Sequence, residues 1–360
     1  MIEDHNLKIP EQDYRDLPLP SYSMLASISK QGVDVINGDK VNFDFKFGSL
    51  VDHLCFEPHK VKDIYYQGAS PKPPTKNVKD ICDIVLEKIT EKPGQTQEIE
   101  SALGRRKQAK ITNKLLDYKD TIKAAAASLG IYKNYDEKKL MAAVIGPGQE
   151  YFKDRLEARG KVLIKPEMWA LANQAAVTLQ QHPFTGKYFN HRTAGIQIIY
   201  QYKFDTKVNN RRVKGMLDCL IVNHNAKLII PIDLKTGEEA GIHFPQLVLG
   251  YRYYIQGALY KEALKSIVDI DFDLTGYTVK EFEFVYLSKM NIGKPLIFIM
   301  PEELHQAALN GFEDRYGNEH RGVYELIEDY YDCVENGFCD YISDVTLNKG
   351  RIIMDNLIRK

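Results

Sequence analysis

The sequence predicts an α/β (α+β) fold: one central mixed β-sheet flanked by helices. Two observations carry this. Up to about residue 182 the apolar residues recur mainly at helical spacing, whereas from Gly195 onward they alternate in GIQIIYQYKF, VKGMLDCLIV and KLIIPIDLK. A long helical stretch then separates these strands from two more, EFEFVYLSK and PLIFIM. Strands, helix, strands is the order of a sheet that is covered by helices.

Composition sets the outer bounds. A chain of 360 residues, 44% hydrophobic and 27% charged with no low-complexity tract, can bury a large core and is not disordered throughout. Its net charge of −1 excludes a uniformly basic coat for nucleic acid, so any such contact must be a local patch. No apolar run approaches the roughly 18–20 residues of a membrane helix. The start, MIEDHNLKIPEQDYRDLPLP, lacks the basic and apolar regions of a secretory signal, which points to a cytoplasmic protein. Cys55, Cys82, Cys219, Cys333 and Cys339 are scattered without a C-x-x-C, the pattern of reduced thiols rather than of a metal or iron–sulfur site.

Taken in order, residues 1–20 read as a polar, proline-punctuated arm. A helix begins near Phe47, with Phe47, Leu50, Val51 and Leu54 on one stripe and Pro58 beyond its end. YYQGASPKPPTKN (65–77) reads as a loop and residues 78–143 as helices. Within them the basic stretch 105–123 is either a solvated helix face or a surface for phosphate backbones. IGPGQE (145–150) reads as a break. PEMWALANQAAVTLQQH reads as a helix with proline in its first turn. One long helix is expected from about Phe244 to Leu264, and closing helices from Pro301.

VKGMLDCLIV-NHNA-KLIIPIDLK reads as a hairpin. A turn centred on His224–Asn225 sets Asp218 opposite Pro231 and Lys214 opposite Lys235. Asp218, Asp233 and Lys235 then share one face. Val213, Leu217, Cys219, Ile221, Leu228, Ile230, Ile232 and Leu234 fill the other. Ionised groups at the end of an apolar strand are costly unless paired. Two aspartates on adjacent strands suit a hard cation such as Mg²⁺ or Mn²⁺, and a lysine beside them can orient and activate a water. A rim ion pair on a surface hairpin is the plainer alternative.

GMLD (215–218), IDLK (232–235) and QGALY (256–260) in this order resemble the PD-(D/E)XK nuclease superfamily, and within it the RecE-like and RecB-like exonucleases. FGSLVDHLCFEP (47–58) resembles the family helix that runs G-x-x-x-H and ends in E-P. Four residues after Gly48 stands Asp52, not His53, so a carboxylate takes the place of the pattern's histidine ligand, unless a one-residue distortion of the helix exchanges the roles of Asp52 and His53. A second departure is Gln197 and Gln201 where an upstream glutamate would be sought.

The resemblance implies a restriction-endonuclease-like core with a helical insertion. Residues 1–65 would be the N-terminal arm and active-site helix, 66–160 the insertion and 161–360 the nuclease core. It implies Asp218, Asp233 and Lys235 as catalytic residues, with Mg²⁺, or Mn²⁺ in its place, held by Asp52, Asp218, Asp233 and the carbonyl of Leu234. Gln256, Tyr260, Arg252 and Lys214 would bind substrate. The implied substrate is double-stranded DNA ends in phage or prophage recombination, with a single-strand annealing protein as partner and a homo-oligomer allowed. Two other classes remain open. One is a non-catalytic module of the same fold that binds DNA or a recombination protein. The other is an enzyme acting on a small phosphorylated ligand, for which no glycine-rich phosphate loop is present.

Overall fold

The computed structural model describes residues 2–32, 36, 46–69, 74–90, 111–158, 160–189 and 193–336. The chain divides into two compact units, Met1–Pro58 with Gln174–Lys360, and His59–Asn173. In chain order the first unit opens with α1 (Glu11–Asp16), α2 (Tyr22–Gln31) and α3 (Lys46–Phe56). The second holds α4 (Val61–Ile64), β1 (Tyr65–Gln67), α5 (Lys76–Thr90), α6 (Lys119–Leu129), α7 (Glu137–Ala158) and β2 (Val162–Ile164). Helix α8 (Pro166–Gln181) begins in the second unit and ends in the first. The first unit continues with β3 (Ile196–Val208), β4 (Arg211–Asn223), β5 (Leu228–Gly237), α9 (Phe244–Gly250) and α10 (Tyr253–Ile270). It closes with β6 (Thr278–Val279), β7 (Phe282–Ser288), β8 (Leu296–Met300), α11 (Glu302–Asn310), β9 (Phe312–Glu313), β10 (Glu319–His320) and α12 (Val323–Asn336).

The second unit is built on α5, α6 and α7, whose Val78, Ile81, Val85, Ile122, Val144 and Phe152 form its core. The expected break at IGPGQE does not occur. Pro147 lies inside α7, and Gly148 lets that helix press onto α5, where a Cβ would stand 2.8 Å from the Cys82 Sγ. Proline removes one intrahelical donor, and this packing holds the helix continuous across the gap. Residues 105–110 of the basic stretch lie outside the described residues. In α6, Lys123 pairs with Asp120 at 3.3 Å and Glu137 at 3.0 Å, as a solvated face would.

The first unit is a mixed sheet in the order β3-β4-β5-β7-β8, with β6 alongside β5. β5 runs parallel to β6 and β7, while the other pairs are antiparallel. The chain passes from β5 to β7 through α9 and α10, as a parallel pair requires. Ile255, Ala258, Leu259, Ala263, Leu264 and Ile267 of α10 pack on Tyr202, Phe204, Leu217, Leu220, Val222 and Ile229 in the largest core.

Four expectations need correction here. The hairpin turn is four residues long, so Cys219 faces Ile232 and Leu220 faces Pro231, two residues away from the expected register. Lys214 lies opposite Asp205 of β3, and the pairing of β4 with β5 ends at Cys219, so Lys214 is not paired with Lys235. The faces are also not uniform along β4. Val213 and Leu217 share their core with Leu220 and Val222, to which Cys219 and Ile221 do not belong. The alternation therefore slips at Asp218, across from Gln201, whose φ of +50° a glutamine rarely adopts. Finally, the single long helix from Phe244 is two, broken at Tyr251–Arg252, where Arg252 has φ +65°.

Residues 2–20 are not an arm. Ile2 is fully buried, its carbonyl accepts from the Tyr202 hydroxyl at 3.1 Å, and the Leu7 N–H donates to the Lys203 carbonyl at 2.8 Å. The segment covers part of the exposed edge of β3, which would otherwise be open to another strand. Buried Lys214 ties it down, donating to the carbonyls of Tyr14, Arg15 and Leu17 at 3.0, 2.7 and 2.7 Å. Cys55, Cys82 and Cys219 are free and buried. Cys333 is disulfide-bonded, against the expectation of reduced thiols throughout, because pairing depends on Cα geometry that spacing does not reveal. Cys339 lies outside the described residues.

Lys214→Ala leaves three carbonyls without their charged donor and is expected to lower unfolding free energy by about 3 kcal/mol. Urea denaturation measures this, and limited proteolysis should then cut first within residues 2–20.

Candidate active site

The hydrogen-bonded pairing of β4 with β5 ends at Cys219–Ile232, while β5 stays paired with β7 from Ile232 to Gly237. Past that point a side chain takes over from the ladder: the Asp218 Oδ2 accepts from the Leu234 N–H at 2.8 Å. One residue on from Ile232, the buried Asp233 accepts at Oδ1 from the Gln256 Nε2 at 2.6 Å. Its Oδ2 lies against the Lys235 ammonium. A carboxylate can only accept, so this contact also fixes which way the Gln256 amide points.

Helix α3 delivers the third carboxylate. Gly48 allows the helix to lie against β5, since a Cβ there would come 2.9 Å from the Thr236 Oγ1. One turn later Asp52 receives the Gln201 amide on Oδ2 at 3.3 Å, and its Oδ1 is buried with no hydrogen-bond partner. The glycine of GMLD has a packing reason as well, because a Cβ on Gly215 would run into the Phe204 ring.

The site holds three carboxylates and one ammonium. Burial, and then the charge of Asp233, push the Asp52 carboxyl up to about 7. Burial, with Asp233 and Asp52 close by, raises Asp218 well above the ordinary carboxylate range. Burial works against the Lys235 ammonium, but the Asp233 and Asp218 carboxylates prevail and hold its pKa up. The Lys235 Nζ also stands 4.8 Å from the centre of the Tyr253 ring, and its side chain keeps 17% of its surface exposed.

Asp52, Asp218, Asp233, Lys235 and Gln256 are thus brought together, and Leu234 is tied in through its N–H. Tyr260, one turn after Gln256, is buried and packs edge-on to Phe204, bracing the site from beneath. Other expected residues are engaged elsewhere. Lys214 holds the N-terminal segment. Arg252 donates to the Leu249 carbonyl at 2.6 Å and the Ser29 Oγ at 3.3 Å. His53 turns its Nδ1 to the Ser49 carbonyl at 2.7 Å, and Gln197 donates to Glu3 at 2.7 Å. The sequence shows Gln201 only as a missing glutamate and assigns no role to Tyr253, the ring against Lys235. The aromatic run YRYY was the available signal for the last of these.

All the side-chain donors are hard oxygens, the excess charge is negative, and Asp52 keeps a buried acceptor without a partner, so the chemistry fits a divalent cation. In this structure the Lys235 ammonium occupies the Asp233 Oδ2 instead. Among the described residues no group of three or more His, Cys, Asp or Glu is arranged to hold a metal as it stands. A cation here requires Lys235 to leave the Asp233 Oδ2.

No family model and no curated protein matches the sequence. Among solved structures, the chain is similar to a candidate exonuclease from Eubacterium rectale, known from a crystal structure. The two are 14% identical over 89% of this chain and 97% of that one, at a TM-score of 0.33. So loose a likeness carries no weight for function. Among the described residues no helix is long and apolar enough to cross a membrane.

The raised Asp52 pKa has a consequence for stability. Below about pH 4 Asp52 is protonated both folded and unfolded. Between the ordinary value of 3.8 and about 7 the fold keeps a proton that the unfolded chain has released, so stability falls as pH rises and then levels off. Asp52→Asn removes this penalty. In EDTA the variant should match the parent near pH 4 and exceed it near pH 8 by up to about 4 kcal/mol. Equal stability of the two at both pH values would show that Asp52 is not held buried beside Asp233.

Proposed function

We propose that the chain is a Mg²⁺-dependent DNA nuclease that hydrolyses phosphodiester bonds from double-stranded ends, as in phage or prophage recombination. One observation carries this reading: two aspartates and a lysine meet where an antiparallel ladder gives way, and a helix adds a third carboxylate from across the sheet. The match of GMLD, IDLK and QGALY to the PD-(D/E)XK pattern supports it. Asp52, Asp218, Asp233 and the Leu234 carbonyl would hold the cation, which would supply positive charge against the phosphodiester oxygens.

The residues of the chain do the rest. Gln256 orients Asp233, Gln201 steadies Asp52, and Tyr260 braces the helix that carries Gln256. Lys235 holds a water in place with its ammonium. Once Asp233 is engaged elsewhere, the lysine loses the partner that keeps its pKa high. Burial then favours the neutral amine, which can take a proton from that water. Arg252 and Lys214 are left out of this assignment because both are committed to backbone carbonyls. The closed Lys235–Asp233 pair favours one second reading, a non-catalytic module that binds DNA without metal.

The test is cleavage of linear and covalently closed circular duplex, end-labelled on either strand, with Mg²⁺ and with EDTA. Linear DNA alone should disappear, and only with Mg²⁺. Asp233→Asn and Lys235→Ala should each lower the rate by about 10²–10⁴-fold while the Tm shows the fold intact. Normal cutting by Lys235→Ala would end the assignment, and metal-independent retention of DNA without cutting would favour the second reading. Gly48→Ala is expected to cost about 10²-fold in rate by displacing Asp52. Its stability should change little, since alanine gains about 1 kcal/mol of helix propensity against the packing cost.

A further inference from the structure

The break between α9 and α10 sits beside the candidate site and does something that a continuous helix would not. Arg252 takes a left-handed backbone conformation, φ +65°, and its side chain closes the turn onto the Leu249 carbonyl. The turn places Tyr251 at the surface, 51% exposed. Its ring stacks on Tyr253, with centres 5.5 Å apart and planes 23° from parallel. Tyr253 stacks in turn on the fully buried Phe244, at 6.2 Å and 23°. Three rings, each stacked on the next, therefore step from the core to solvent, and the series stops with an exposed member.

The middle ring is the one that faces the Lys235 ammonium at 4.8 Å. The outer ring is thus joined to the candidate catalytic lysine through Tyr253, which contacts both. Its backbone is pinned, because the Tyr22 hydroxyl donates to the Tyr251 carbonyl at 3.1 Å. The exposed Lys30 stands 5.4 Å from the Tyr251 ring centre, a movable cover on a flexible stem. Burial and neighbouring Arg252 depress the Lys30 pKa, so two cations crowd each other at this lip. Half-exposed aromatic surface beside the exposed Lys30 cation has the chemistry of a base-and-phosphate subsite.

We propose that Tyr251, backed by Tyr253, is a stacking platform for an unpaired nucleobase, with Lys30 swinging aside to meet the adjoining phosphate. The terminal nucleotide of the strand is then engaged out of its duplex. This rests on the nuclease reading for the identity of the strand, but the stacking itself needs neither metal nor cleavage.

The test uses the full chain in EDTA and oligonucleotides with 2-aminopurine at the terminal position, single-stranded or in a blunt duplex. The parent and Tyr251→Phe should quench the fluorescence of the single strand on binding. Tyr251→Ala and Tyr251→Leu should lose the quench and bind the single strand about 10-fold more weakly. Lys235→Ala should keep the quench. Undiminished quenching and affinity in both Tyr251→Ala and Tyr251→Leu would overturn the platform. The two readings fail separately: no Mg²⁺-dependent cleavage with a Tyr251-dependent quench sinks the nuclease and leaves the platform. Cleavage together with a quench that ignores Tyr251 sinks the platform alone.

Discussion

The rest of the first unit is organised around a hydrogen-bonded ladder that is not allowed to finish. β4 and β5 pair as far as Cys219–Ile232, after which β5 continues only with β7. An open ladder inside a protein leaves backbone groups that must find other partners. The Asp218 carboxylate supplies one, taking the Leu234 N–H that a strand carbonyl would have taken. This substitution places a carboxyl group within the sheet, next to Asp233 and Asp52.

Charge is the second consequence. Once Asp218 is inside, Asp233 and Asp52 add to the same field, and one lysine cannot balance three carboxylates. The fold responds by raising the pKa of Asp52 and Asp218 and by holding Lys235 protonated. Hydrogen bonds from Gln256 and Gln201 meet part of the demand without adding charge. An uncompensated cluster of this kind costs stability in the metal-free protein, and perturbed titratable groups gathered beside an exposed lip mark a candidate functional site.

Helix α3 and the α9–α10 break show how neighbouring elements serve that point. Gly48 draws α3 close enough to β5 for Asp52 to reach in from the next turn. The left-handed Arg252 shortens what would have been one helix and turns an aromatic stack toward Lys235. Both features give up some local preference, a glycine inside a helix and a positive φ on an arginine, for the placement of a side chain. Lys214 follows the same logic in reverse. It is a basic residue near the site in sequence whose ammonium is consumed in fastening residues 2–20 to the core.

The sequence by itself determined the mixed sheet, its five longer strands and the residues Asp52, Asp218, Asp233, Lys235 and Gln256 as candidates for one site. Hydrophobic period and the spacing of charged residues within apolar strands are local properties, and they survive an error of two in the hairpin register because side chains alternate with period two. Only the tertiary structure decided the slip of alternation at Asp218, the fate of Lys214 and Arg252, the continuity of α7 through Pro147, and the folding of the first twenty residues onto β3. Each of these depends on a partner far away in the chain: Gln201 for Asp218, the carbonyls of α1 and its exit for Lys214, Cys82 for Gly148, Tyr202 and Lys203 for the N-terminus. Long-range contacts of that kind leave no periodic trace in the residues that make them.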